Sequence, residues 1–448
     1  MPYGRQLLGR RETRAVRRVL RGSHLTQGPC VERFEEALRE LTGAPYAVAV
    51  TNGTVALDLA VRAVKLHYGL SNGAPALTSA NTFVASSNAL LYNRLKPLFC
   101  DISPNTYNLN LREVERLLEE GLQGERPVEL LLPVHFAGVP VDMAELWKLA
   151  RKYAPLGDGE RETRLPIIED AAHAIGSRYD DSYKVGSCVY SDACCFSFHP
   201  VKTITTAEGG AITCRDQKLY ELLLLLRNHG ISREPESWVS VAENCPNLSH
   251  PSQAFQKPDA SDNASGLGEE EPFPSHETFP SYGAPRGAMY EQPPWYYEMQ
   301  VLGYNARLSD VHAVLGVEQL RRLDHFGARR RHLAAYYTEA LQGLNWLSLP
   351  FIDRLSCPHL YVVRIDFAFL RLSRSAVMWE LQAQGIGTQV HYIPLPLHPY
   401  YRGLGYGMDA LEHTLRYYRE ALSLPLYPGL KRRDQDRVIR AIYRLEEP

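Results

Sequence analysis

Residues 196–214 read FSFHPVKTITTAEGGAITC, a lysine flanked by two segments with the character of buried strands. The run before it, DACCFSF (192–198), and the run after it, GAITC (210–214), are apolar, and a Glu-Gly-Gly turn separates the lysine from the second. A lysine that only decorates a surface needs no such setting. A lysine that must react as a neutral amine does, because desolvation disfavours its charged form. Taken alone, Lys202 still reads as an ordinary loop lysine, so its neighbours decide.

Working outward, short apolar runs alternate with helical patterns from about residue 45 to 230. YAVAV (46–50), KPLFCDI (96–102), VELLLPVHF (128–136) and LPIIED (165–170) join the two runs above as expected strands. Stretches such as VALDLAVRAVKLH and DMAELWKLARKYA read as amphipathic helices between them. This alternation predicts an α/β fold with a mostly parallel sheet covered by helices on both faces. After an N-terminal segment (1–30), a large domain is expected over 31–327. A smaller α+β domain over 328–448 is expected to hold the strands LYVVRIDF and GTQVHYI around the helix RSAVMWELQAQ. Residues 232–296, rich in Pro, Ser, Gly and acids, read as an insertion without a core of its own.

Composition narrows the function. The 448 residues carry a net charge of −2, with 45% hydrophobic and 22% charged residues, which favours neither nucleic acid nor an acidic membrane surface as partner. No apolar run is long enough for a membrane-spanning helix. The start, MPYGRQLLGRRETRAVRRVLRG, lacks the apolar stretch of a secretory signal. The eight cysteines form no CxxC pair, so neither a metal site nor a disulfide framework is expected, and a cytoplasmic location follows.

Several residues could carry chemistry. Asp170, closing the strand in IIEDAAHAIGS, sits where open α/β sheets present ligands, and a carboxylate there can keep a ring nitrogen protonated. By itself it reads first as a helix cap. TNGTVAL (51–57) follows a strand and opens a helix, the arrangement that binds phosphate, with Gly53 for close approach and Thr54 for a hydroxyl, though such turns are common. Phe83 in SANTFVASSNAL could lie on a flat ring or in the core. Ser197 could add a phosphate ligand or bond nearby backbone. Together they supply what pyridoxal 5′-phosphate requires: a Schiff-base lysine, a ring-nitrogen carboxylate, an aromatic face and a phosphate cup.

The blocks HLTQGP, YAVAVTNGTVALDLA, EDAAHAIGS, FSFHPVKTITTAEGGAI, LGYNARLSDVHAVLGVEQL and QVHYIPLPLHPYY, in that order, resemble the DegT/DnrJ/StrS sugar-nucleotide aminotransferases over nearly the whole chain. The resemblance implies a fold-type I architecture with a seven-stranded sheet. It also implies that Lys202 bonds the cofactor and Asp170 pairs with its ring nitrogen. His173 would lie beside the ring, Phe83 on its face, and Thr54, the Val55 backbone and Ser197 on the phosphate. Asn305 would reach the phosphate of a second subunit in a homodimer. Arg307, His391 and Tyr392 would lie near the sugar nucleotide, and His199 receives no role. FSFHPVKTITTAEGG with YEMQVLGYNARLSD and QVHYIPL resembles most the branch serving pseudaminic acid synthesis. That branch implies a UDP-linked 4-keto-6-deoxy-N-acetylhexosamine as acceptor and L-glutamate as donor. The rival readings are another nucleotide-linked 3- or 4-keto sugar, and a non-catalytic protein on the same fold. A family dehydratase would carry histidine where this chain has Lys202. The connection between RNHGI and GYN is longer here than the family's usual one. Deleting residues 236–290 is expected to leave cofactor binding intact; loss of the cofactor's visible absorbance in the purified deletion variant would overturn this.

Overall fold

The computed structural model describes residues 1–124, 127–154, 164–233 and 295–446; most of the expected insertion lies outside the described residues. By contact the chain divides into two units, one of residues 1–230 with 301–448 and one of residues 231–300. In the second unit, Ile231–Ser232 pairs antiparallel with Glu298–Met299.

The first unit is built on strands β1 (Tyr46–Val50), β2 (Pro75–Ser79), β3 (Lys96–Cys100), β4 (Leu130–Leu132), β5 (Ile168–Asp170), β6 (Ala193–Ser197) and β7 (Gly210–Cys214). They form a four-stranded piece, β1-β7-β6-β5, and a three-stranded piece, β3-β2-β4. The β4 and β5 edges meet through parallel bridges, Leu131 with Ile167 and Val134 with Asp170. The order across all seven is therefore β3-β2-β4-β5-β6-β7-β1, with β7 alone antiparallel to its neighbours. β2 (PALTS) is absent from the sequence-based expectation because its Pro and two hydroxyl residues hide a buried strand.

Both sheet faces are covered, which explains why the strands read as continuous apolar runs rather than alternating ones. On β6, Cys194 and Phe196 pack with Phe34 and Leu38 of helix α1 (Pro29–Thr42). Cys195 turns to the other face, its thiol 3.5 Å from the Ala56 carbonyl of helix α2 (Gly53–Tyr68). The seven described cysteines are buried and unpaired with one another.

The C-terminal part builds its own core. Tyr361–Ile365 pairs antiparallel with Leu347–Ser348 on one side and Ala421–Leu424 on the other. Tyr337, Tyr361, Val363, Leu381, Val438 and Ile442 fill the space between this sheet and its helices. The helix Leu323–Leu341 runs unbroken across the expected boundary at residue 327. The expected strand over GTQVHYI (387–393) does not form. Gln389 makes one antiparallel bridge with Ser423, and the chain then leaves the ladder. Two side-chain bonds accompany the departure: His391 Nδ1 and the Ser423 hydroxyl share a hydrogen bond at 2.7 Å, and the Tyr392 hydroxyl lies 3.1 Å from His173 Nε2.

Arg330 is fully buried in this helix, and its Nη1 donates to the His359 and Leu426 carbonyls at 3.0 Å each. Burial lowers its pKa to about 10, so it stays charged at neutral pH. Arg330→Ala should destabilise the protein by about 3 kcal/mol, since two buried carbonyls lose their donor. Urea unfolding followed by tryptophan fluorescence reads this, and a cost below about 1 kcal/mol would contradict it.

Candidate active site

Because β5 and β6 are parallel and β7 opposes both β6 and β1, the C-terminal ends of β1, β5 and β6 share one sheet edge. A cavity of about 680 Å³ opens there. Ten of the residues singled out in the sequence line it: Gly53, Thr54, Val55, Phe83, Asp170, His173, Ser197, Lys202, His391 and Tyr392. Asn305 and Arg307 do not. Asn305 is exposed and bridges Asn228 through its backbone, and the Arg307 guanidinium bonds the Asn228 side chain.

Lys202 follows β6 on a turn closed by its own N–H to the His199 carbonyl at 2.9 Å. Burial lowers its pKa to about 8, against a smaller upward pull from Asp170. A neutral fraction is thus present near physiological pH, where an ordinary lysine at ~10.4 has almost none. Asp170 is 5% exposed. Its carboxylate accepts the Ser86 hydroxyl at 2.6 Å and the Ala172 N–H at 3.0 Å, which fixes its plane. No helix follows directly on Asp170 among the described residues, so it caps none; it takes up a backbone N–H of the turn after the strand and faces the cavity.

Around these two stand neutral rings. Burial, and then the Lys202 charge, hold His173 well below the usual histidine range and His391 down at about 3. The Ala137 N–H donates to His173 Nδ1 at 3.3 Å, so the ring's proton sits on Nε2, 3.1 Å from the Tyr392 hydroxyl. Ala137 presents that N–H from a left-handed backbone (φ 56°), unusual for a residue with a Cβ. His359 lies against His173 with ring centres 4.5 Å apart. Phe83 is 55% exposed, its ring 5.9 Å from that of Tyr392.

The turn after β1 has the form of an anion cup. Asn52 caps α2 by accepting the Val55 N–H at 2.9 Å, so that donor is already engaged; Gly53 and Thr54 supply the other first-turn N–H groups. A Cβ on Gly53 would lie 2.7 Å from the Ser197 Cβ, so glycine alone lets the helix start reach the end of β6. These residues fit pyridoxal 5′-phosphate: a small-residue cup for the phosphate, a fixed carboxylate for the ring nitrogen and a desolvated amine.

The cavity also holds residues the sequence reading missed. Tyr3 packs edge-on against His391 at 5.2 Å, and His359, Glu208 and Gln389 line the wall with His199. Tyr3, in PYGRQ (2–6), and His359 carry no chemical signature of their own and reach the site only through long-range packing. Ser86 was in view in SANTFVASSNAL, but its bond to Asp170 spans 84 residues.

Sheet order and a strand-edge site of this chemistry place the chain among fold-type I proteins that use pyridoxal 5′-phosphate. It belongs to the DegT/DnrJ/EryC1/StrS aminotransferase family, whose sequence model matches residues 6–248 and 278–443, and it is a sugar aminotransferase. It is 31% identical over 446 residues to the spore coat polysaccharide biosynthesis protein SpsC of Bacillus subtilis, covering 99% of this chain and 96% of that one. Helicobacter pylori PseC, an aminotransferase involved in the biosynthesis of pseudoaminic acid, shares the fold with a TM-score of 0.78 at 24% identity, over 99% and 98% of the two chains. Spr1654 of Streptococcus pneumoniae, solved in a form with pyridoxal phosphate, matches with a TM-score of 0.77 at 23% identity, over 100% and 98%.

In the apoprotein, labelling of Lys202 by an amine-reactive reagent should reach half-maximum near pH 8. In Asp170→Asn the midpoint should fall further, because Asp170 supports the ammonium form. Quantitative peptide mass spectrometry across pH measures both, and a midpoint near ~10.4 would contradict the assignment.

Proposed function

We propose that this enzyme moves the amino group of L-glutamate onto C4 of a UDP-linked 4-keto-6-deoxy-N-acetylhexosamine. Amino transfer rests on one observation above the others, Lys202 and Asp170 facing one cavity on the same sheet edge. The choice of sugar is supported by the motifs FSFHPVKTITTAEGG and QVHYIPL and by the fold likeness to PseC. A second reading, another nucleotide-linked 3- or 4-keto sugar, is favoured by the higher identity to SpsC.

Bound pyridoxal 5′-phosphate supplies the electron sink that lets a proton leave the carbon bearing nitrogen. Asp170, its carboxylate held by Ser86 and the Ala172 N–H, would pair with the ring nitrogen. Gly53, Thr54 and Ser197 would hold the phosphate, and Phe83 would cover one side of the ring. Lys202 Nζ moves the proton, accepting it from Cα of glutamate in the first half-reaction. In the second it serves C4 of the sugar, so one base suffices for both halves if it stays mobile and partly desolvated. Tyr392 and His391 line the sugar end of the cavity. His173 stays neutral and donates a hydrogen bond from Nε2–H to the Tyr392 oxygen, which leaves the phenolic O–H free to donate to a group in the cavity. Asn305, exposed and away from its own cavity, serves the phosphate site of a partner subunit in a cytoplasmic homodimer, with Arg307 beside it.

Lys202→Ala should lower turnover at least about a hundredfold, read as 2-oxoglutarate formed from glutamate. A panel of UDP- and dTDP-linked 3- and 4-keto sugars tests the acceptor. Activity confined to a dTDP-3-keto sugar would overturn the UDP reading and leave amino transfer standing, and full activity in the Lys202 variant would overturn both.

A further inference from the structure

Behind Asp170, on the opposite face of β5, lies a second carboxylate for which the reaction has so far no use. Successive residues of a strand point to opposite faces, so Glu169 turns away from the cavity. It is completely buried, as is His135, whose Nε2 lies 2.6 Å from a Glu169 oxygen. The hydroxyls of Tyr179 and Ser191 donate to the same carboxylate.

At 2.6 Å the Glu169–His135 contact has the spacing of an ion pair, but a backbone bond decides otherwise. The Val141 N–H donates to His135 Nδ1 at 3.1 Å, and a nitrogen that accepts a hydrogen bond carries no proton. His135 is therefore a neutral Nε2–H donor. Glu169 is held by these three neutral donors, and none of them brings a positive charge to it. An uncancelled buried carboxylate is costly, and a core with no such charge is ordinarily the more stable choice.

Its location suggests what the charge does. Asp170 donates its N–H to the Pro133 carbonyl at 2.9 Å and accepts the His135 N–H at 3.0 Å. The Glu169–His135 bond thus spans the same β4–β5 seam that holds the Asp170 backbone. The field also reaches the cavity wall: after burial and Asp170, Glu169 is among the charges that push the Cys195 thiol up, and Cys195 lines the cavity. The groups around Glu169 are His135, Tyr179, Ser191, Cys188 and Cys194, with Cys195 on the far face within reach of its field. Those facing Lys202 are Asp170, His173, His359 and His391.

We propose that Glu169 is a positioning residue for Asp170 whose uncancelled charge, lying behind it, raises the proton affinity of the cofactor bound in front. Asp170 makes the direct contact with the ring nitrogen; Glu169 adds a fixed negative potential and locks the strand that presents Asp170. This rests on the pairing of Asp170 with the ring nitrogen proposed above.

The test is the pH midpoint of the bound cofactor's absorbance change, measured for the wild type and for Glu169→Gln, Tyr179→Phe, Ser191→Ala and Asp170→Asn. Thermal melts verify that each is folded. Glu169→Gln keeps the shape and removes the carboxylate, and its midpoint should fall by about one pH unit, the order expected of one buried charge acting across the thickness of a strand at an effective dielectric near 20. Tyr179→Phe and Ser191→Ala each remove a donor that spreads this charge, so their midpoints should rise by a smaller amount. Opposite signs mark an electrostatic role, because mere loosening of a structural staple would move all three the same way. Shifts of one sign in the three variants would overturn the proposal. So would an unshifted Glu169→Gln beside a shifted Asp170→Asn. An unshifted Asp170→Asn would instead refute the ring-nitrogen pairing itself. If Glu169→Gln fails to fold, upward shifts in the two donor variants sustain the proposal and their absence refutes it.

Discussion

Two backbone hydrogen bonds at Asp170, its N–H to Pro133 and its carbonyl from His135, knit the three-stranded part of the sheet to the four-stranded part. The seam carries no long ladder, only isolated bridges, so its register depends on very few bonds. A shift of one residue would turn Asp170 into the packed face and Glu169 into the cavity. The same atoms therefore hold the sheet together and aim the carboxylate. With Asp170 fixed, β6 brings Ser197 and Lys202 to the neighbouring position, and the start of α2 closes the third side.

The electrostatic character of the cavity follows from enclosure. Histidines 173, 359 and 391 are all driven neutral, with burial as the largest cause and the lysine's charge adding to it. The rings thus act as directional groups with no net charge near neutrality, and in His173 the Ala137 N–H selects which nitrogen carries hydrogen. Asp170 then faces Lys202 with few competing charges, and the lysine's proton affinity is set mainly by desolvation.

Much of this was legible in the sequence, and for definable reasons. The strands that carry the site are buried on both faces, so they stand out as apolar runs, and the polar residues at their ends face the cavity. Lys202, Asp170, Ser197 and the Asn52–Val55 turn were readable on that basis. PALTS was not, since a buried strand can satisfy a threonine internally, as Thr78 does by donating to the Leu132 carbonyl. GTQVHYI was misread for the converse reason: its β-like composition serves side chains bonded across to Ser423 and His173, and the backbone does not extend the ladder. Tyr3 and His359 depend on tertiary contacts that no local pattern encodes. The tautomer of His135, the ring that bonds Glu169, is set by one N–H from Val141, a bond invisible in any motif.

The placement of Tyr3 bears on how the molecule assembles. The Met1 carbonyl accepts the Gly387 N–H at 2.7 Å and the Tyr3 carbonyl accepts the Leu426 N–H at 2.9 Å, so one wall of the cavity joins residues separated by almost the whole chain. Closing so long a loop costs entropy before any contact rewards it, and such contacts form late. On the ribosome, Lys202 and Asp170 can settle in the sheet while Tyr3 still waits for residues 385–426 to emerge. The cavity wall is therefore completed near the end of folding, by a segment at the opposite end of the chain from the residues that receive it.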